Sequence, residues 1–111
     1  MPSSYLIIES QDPFEFRDVE EGYRLVADLA AKGRSVTLFL VQNGVLATRQ
    51  GARTGQFAIL AATPGVTVLA DTFALQERGI PSAALGPGVR PADMDALVDL
   101  LMADGQKVIW H

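Results

Sequence analysis

The sequence predicts an α/β domain of three layers, α/β/α, with a mainly parallel five-stranded sheet between the helices. Three observations predict it. Short aliphatic and β-branched runs such as Tyr5-Leu6-Ile7-Ile8-Glu9 and Val36-Thr37-Leu38-Phe39-Leu40-Val41 lack the alternation of a one-sided strand, which is how strands buried on both faces read. The stretches between such runs carry apolar residues at three- and four-residue spacing. Glycine or proline stands where each helix should stop.

Residues 5–9 are the first strand. Ser10, Gln11, Asp12 and Pro13 make a turn cluster, after which Phe16, Val19, Tyr23, Val26 and Ala30 line one side of a long helix ending at Lys32-Gly33. Residues 36–41 are the second strand, closed by the turn signal Gln42-Asn43-Gly44, where Asn43-Gly44 reads as a turn through positive φ. Residues 45–53 are ambiguous and fit a short helix. Residues 55–62 read as a helix stopped by Thr63-Pro64-Gly65, because the residue before proline avoids the helical region.

The third strand covers residues 66–70. A helix from Thr72 to Arg78 stops at Gly79, and residues 82–85 give a short fourth strand. After the loop Gly86-Pro87-Gly88, Pro91 opens a helix whose buried stripe is Met94, Leu97, Val98 and Leu101, with Asp93, Asp95 and Asp99 toward water. Gly105 ends it, and residues 107–111 are the fifth strand. Strands alternating with helices give a mainly parallel sheet covered on both sides, and 111 residues make one domain, 1–111, with a single core.

Composition removes whole classes of function. Nine basic residues against thirteen acidic ones give a net charge of -4, and the bases are scattered, so nucleic acid is not an expected partner. No apolar run approaches the ~20 residues that cross a bilayer, and the first five residues lack a basic, apolar export signal, so a cytoplasmic protein without membrane contact is expected. The absence of cysteine excludes disulfides, thiolate zinc sites, iron–sulfur ligation and cysteine nucleophiles together. His111 is the only histidine, which leaves no histidine metal cluster and no Ser-His-Asp relay unless His111 acts alone. Gly44, Gly51 and Gly55 do not match a dinucleotide fingerprint, and Arg49 and Arg53 stand beside no lysine-serine phosphate loop. Neither a cofactor nor a metal is expected.

In open parallel sheets ligands bind beyond the carboxyl ends of the strands, which points to residues 10–12, 42–44, 71–72 and 86–88. The ligand-binding candidates drawn from these loops are Ser10, Gln42, Asn43, Asp71 and Thr72. Asp71, at a strand end and helix start, reads first as a helix cap accepting bonds from the free N–H groups of the next turn. A second reading makes it a contact for a cation or a polar ligand. A receiver-type phosphoacceptor fits poorly, since the accompanying acidic pair, hydroxyl and lysine have only Asp12, Ser82 and a misplaced Lys107 to fill them. Arg78 reads as a cap on its helix end or a subunit contact, and Trp110 as an interface anchor. Phe14, Phe16, Tyr23 and Phe57 are too dispersed for a stacking platform and read as core or interface.

The order of elements resembles the DsrE/DsrF-like family, which includes the sulfur-relay subunits of the TusBCD and DsrEFH complexes. The likeness spans nearly the whole chain. It is carried by Phe39-Leu40-Val41-Gln42-Asn43-Gly44-Val45, Gly65-Val66-Thr67-Val68, Glu77-Arg78-Gly79-Ile80, Gly88-Val89 and Asp104-Gly105-Gln106-Lys107-Val108-Ile109. In the family's catalytic members a cysteine lies seven residues ahead of the arginine of the Arg-Gly pair; here that position is Asp71, and the second polar or thiol position three residues on is Ala74. A carboxylate cannot carry a persulfide, which needs a thiolate attacking sulfur. The resemblance thus implies the scaffold without the sulfurtransferase activity. It implies a non-catalytic subunit that self-associates as a homotrimer or homohexamer, with a small polar ligand or a relay protein as partner. The alternative is a sensor or enzyme of another class that uses the strand-end pocket around Asp71.

Overall fold

The computed structural model describes residues 4–49 and 55–111. Arg53 and Gly51, named above as anion and nucleotide candidates, lie outside the described residues, as do the end of the ambiguous 45–53 segment and residues 1–3 of the export-signal argument.

Five strands form one sheet in the order β4-β3-β2-β1-β5: β1 (Ser4–Glu9), β2 (Ser35–Leu40), β3 (Val66–Asp71), β4 (Val89–Ala92) and β5 (Gln106–Trp110). Every pairing is parallel, so all strands end at one edge of the sheet. The helices are α1 (Asp18–Ala31), α2 (Gly55–Ala61), α3 (Thr72–Glu77) and α4 (Met94–Met102), joined by 3-10 helices at Gln42–Thr48 and Ser82–Ala84. The three-layer α/β/α fold expected from the sequence is therefore the one observed.

The two faces of the sheet are covered unequally. Ile7, Val36, Leu38, Leu40, Val68 and Ala70 point to the side filled by α1, α2 and α3 through Val19, Tyr23, Val26, Phe57, Leu60 and Leu75. Leu6, Ile8, Phe39 and Val41 point to the other side, where Leu97 of α4 is the buried helical residue and Leu100 packs partly against them. The cause is the handedness of parallel crossovers. Moving from β1 to β4 always in one direction puts the intervening helices on one face, and the single return from β4 to β5 puts α4 on the opposite face.

Five expectations are corrected. Residues 82–85 are not the fourth strand; Ser82–Ala84 is a turn of 3-10 helix, and β4 lies at Val89–Ala92, with Pro91 inside it. A proline is tolerated there because β4 is an edge strand paired only with β3. Consequently residues 86–88 lie at the start of β4 and not beyond its carboxyl end. The last helix begins at Met94, not Pro91, with Asp93 as its cap accepting from Ala96 N–H at 2.9 Å. Of its expected buried stripe only Leu97 is buried; Met94, Val98 and Leu101 are exposed, as is Met102. Phe16 lies ahead of α1 and is exposed, so the buried face of that helix is Val19, Gly22, Tyr23 and Val26. The positive φ of the 42–44 turn belongs to Gln42, at 49°, and not to Gly44. Gly44 is required for another reason: a Cβ there would run into the backbone carbonyl of Glu9.

Candidate functional site

The strand ends gather two polar features, one on each face of the sheet. On the α4 face Asp71 closes β3 with only 4% of its surface exposed. Its Oδ2 accepts from Ala74 N–H at 3.1 Å, which makes it the N-cap of α3. Its Oδ1 is buried and has no hydrogen-bond partner among the described residues. A carboxylate oxygen in that state is costly unless something supplies a donor.

Asp71 lines a cleft of about 410 Å³. Ser10 and Gln42, at the ends of β1 and β2, provide its other polar groups together with Glu77 of α3. Val41, Phe73, Ala74, Met94, Leu97 and Trp110 provide the apolar walls. Three of the five candidates, Ser10, Gln42 and Asp71, therefore meet around one space. Trp110 meets them from β5 and is 65% exposed. Thr72 is the first residue of α3 and Asn43 stands in the neighbouring 3-10 helix; neither lines the cleft.

Asn43 is bound within the chain. Arg78 donates through Nε and Nη2 to Asn43 Oδ1 at 3.0 and 2.9 Å, and through Nη1 to the carbonyl oxygen of Ala74 at 3.1 Å. The guanidinium thus caps α3, as its position in sequence implies, and also ties that helix to the end of β2. Its approach to Glu77, at 3.8 Å, is the loosest of its polar contacts.

On the α1 face, sequence reasoning missed a second feature. Glu9, the last residue of β1, is 1% exposed, accepts from Gln11 N–H at 3.0 Å and lies 2.7 Å from His111 Nδ1. His111 N–H donates to the Ile8 carbonyl at 2.8 Å, so the end of β5 is held by backbone and side chain together. Gly22 of α1 passes close above this pair: a Cβ there would lie 3.1 Å from Glu9 Oε1 and 3.2 Å from His111 Nδ1. Tyr23 beside it is buried, and its hydroxyl has no partner among the described residues. Burial first, and then the negative charges of Glu9, Asp12 and Glu20, push its phenol well above the ordinary tyrosine value. The signal for Glu9 in the sequence was a charge closing an otherwise apolar strand, which nothing local connected to a histidine at residue 111. Among the described residues no group of three or more metal-ligating side chains comes together, and no helix is long and apolar enough to cross a membrane.

No protein-family model matches the sequence, and no curated protein matches it significantly. Solved structures do match in shape. The chain is similar to the ychN protein from E. coli, with a TM-score of 0.85 at 24% identity over 97% of this chain and 98% of that one. It is also similar to MTH1491, a protein of unknown function from Methanobacterium thermoautotrophicum, with a TM-score of 0.74 at 21% identity over 97% of both chains. At these identities the likeness establishes the fold alone. The chain shares its fold with these two proteins over nearly its full length.

Proposed function

We propose that this chain is a non-catalytic subunit of DsrE/DsrF-like type, a binding protein or scaffold that works as a homotrimer or homohexamer and takes a small polar ligand in the Asp71 cleft. The observation that carries the reading is Asp71 itself. A carboxylate stands at the tip of β3, with one oxygen capping α3 and the other without a partner beside a cleft. A chain without cysteine has no thiolate to accept sulfur, so any role in sulfur relay is that of a partner to a thiol-bearing protein.

Self-association is supported by the thinly covered face of the sheet. Met94, Val98, Leu101 and Met102 of α4, with Phe73 and Trp110 nearby in the fold, leave large apolar side chains exposed, and contiguous patches of this kind are where proteins meet partners. A relay protein would use the same surface. The acidic balance and scattered bases argue against nucleic acid, and a cytoplasmic location accompanies this reading.

Two measurements test it. Incubation with a persulfide donor followed by intact-mass analysis is expected to leave the protein without a sulfur adduct, and an adduct would end the non-catalytic reading. Light scattering on the eluting protein is expected to return the mass of three or six chains; a monomer at all concentrations would remove the oligomeric part. A second reading, a ligand sensor or an enzyme of another class built on the same cleft, is favoured by the unpartnered Asp71 Oδ1. Turnover of a bound ligand would separate it from the first.

A further inference from the structure

Resting on the reading of the Asp71 cleft as a ligand site, we infer that its ligand is a small organic cation, an ammonium or guanidinium carried on an apolar, aromatic-sized body. Charge is the first argument. Among the described residues the cleft is lined by two carboxylates, Asp71 and Glu77, and by no lysine, arginine or histidine. The guanidinium of Arg78, which reaches the cleft residue Ala74, is engaged by Asn43 and by the Ala74 carbonyl. An anion entering this space would meet the like charge of Asp71, while the guanidinium near Glu77, 3.8 Å away, is already engaged.

Hydrogen bonding is the second. Asp71 is a buried acceptor whose Oδ1 receives no donor from the described residues. An ionised carboxylate offers only acceptors, and an ammonium or guanidinium offers only donors, so each supplies what the other lacks. Ser10 and Gln42 stand in the same cleft with oxygens for the remaining N–H groups.

The walls are the third. Phe73, Met94, Leu97 and Trp110 are apolar, and a tryptophan face is the strongest aromatic partner for a cation. A purely polar ion such as a hydrated metal would leave these walls unused, while an amine on a ring or an alkyl stem covers them and places its charge at Asp71. The volume, about 410 Å³, lies within the range of small-molecule sites.

Trp110 is the only tryptophan in the chain, so its fluorescence reports on this cleft directly. Benzylamine, benzyl alcohol and benzoate, three probes of similar shape and different charge, are titrated into the full-length protein. The expected order of affinity is benzylamine first, benzyl alcohol well below it and benzoate last. Asp71→Asn keeps an oxygen that caps α3 and removes the charge, and it is expected to weaken benzylamine about tenfold or more while leaving benzyl alcohol unchanged. Glu77→Gln, on the exposed rim, is expected to act in the same direction and less strongly, with the fold of both variants checked by circular dichroism. Equal affinity for the three probes, or an Asp71→Asn variant that binds benzylamine as well as the parent, overturns the cation inference and leaves the cleft as a ligand site of another class. Binding of none of the three at millimolar concentration removes the ligand-site reading beneath it, and the inference falls with it.

Discussion

Glu9 and His111 stand 102 residues apart in the chain and 2.7 Å apart in space. The contact joins the inner strand β1 to the edge strand β5 at the one place where both strands end. Removing the imidazole by His111→Ala leaves a buried Glu9 oxygen without that partner, a change expected to lower unfolding free energy by about 1–3 kcal/mol. Urea denaturation of the two proteins checks it. Hydrogen exchange should show the faster opening confined to β5 and the end of β1.

Gly22→Ala tests the same pair from above. In an exposed helix the substitution would add about 1 kcal/mol of stability, but here the new methyl group would press on Glu9 Oε1 and His111 Nδ1. The single substitution is expected to gain little or nothing, whereas in the His111→Ala background it recovers part of the helix-propensity gain. A double-mutant cycle with a coupling below about 0.3 kcal/mol would show that the crowding has no energetic weight.

Tyr23 governs the alkaline limb. Its phenol is held above the ordinary value by burial and by Glu9, Asp12 and Glu20, so the folded state favours the neutral form. A folded value above the unfolded one leaves stability intact below about pH 10, where an unfolded tyrosine titrates, and removes it as pH rises further, by up to ~1.4 kcal/mol per pH unit. Tyr23→Phe deletes a hydroxyl that has no partner among the described residues. The variant is expected to be as stable as the parent or more so near neutrality, and to lose less stability than the parent between pH 10 and 11.

Gly44→Ala places a methyl group against the Glu9 carbonyl, a backbone atom that cannot swing aside. A loss of about 1–3 kcal/mol is expected from such overpacking. A thermal melt that matched the parent would show that the 42–44 segment yields.

Val98→Glu puts a charge on the exposed face of α4. If copies of the chain meet there, light scattering is expected to shift toward the monomer while circular dichroism stays unchanged. An unaltered oligomer would move the interface elsewhere on the surface.

Much of this architecture was legible in the sequence because it rests on local signals. Residues 36–41 read as a buried strand, and β2 occupies Ser35–Leu40. Asp71 read as a cap ahead of a helix stopped by Gly79, and α3 is built that way, with Gly79 at φ 64°. The misplaced β4 has a physical cause: Ser82-Ala83-Ala84-Leu85 looks more apolar than Val89-Arg90-Pro91-Ala92, but an edge strand needs only one good side, and its partner β3 supplies the pairing. The periodicity of α4 marked its apolar face correctly, yet periodicity does not say whether that face is filled by the same chain. Glu9 and His111 were illegible as a pair because only the order of strands brings residues 9 and 111 together. The cleft followed the same pattern, since Ser10, Gln42 and Asp71 were found as strand-end residues and Phe73, Met94 and Leu97 were not.

The position of β1 in the sheet sets an order of events during synthesis. Its one neighbour, β2, begins at Ser35, but its other neighbour, β5, begins only at Gln106. A ribosome must deliver the chain past Gln106 before that second edge can be covered, and until then Leu6, Ile7 and Ile8 sit on a strand with unpaired amides. Until β5 follows, β1 keeps one side open to mispairing, and chaperone dependence at this stage is the expected cost of placing β1 beside β5.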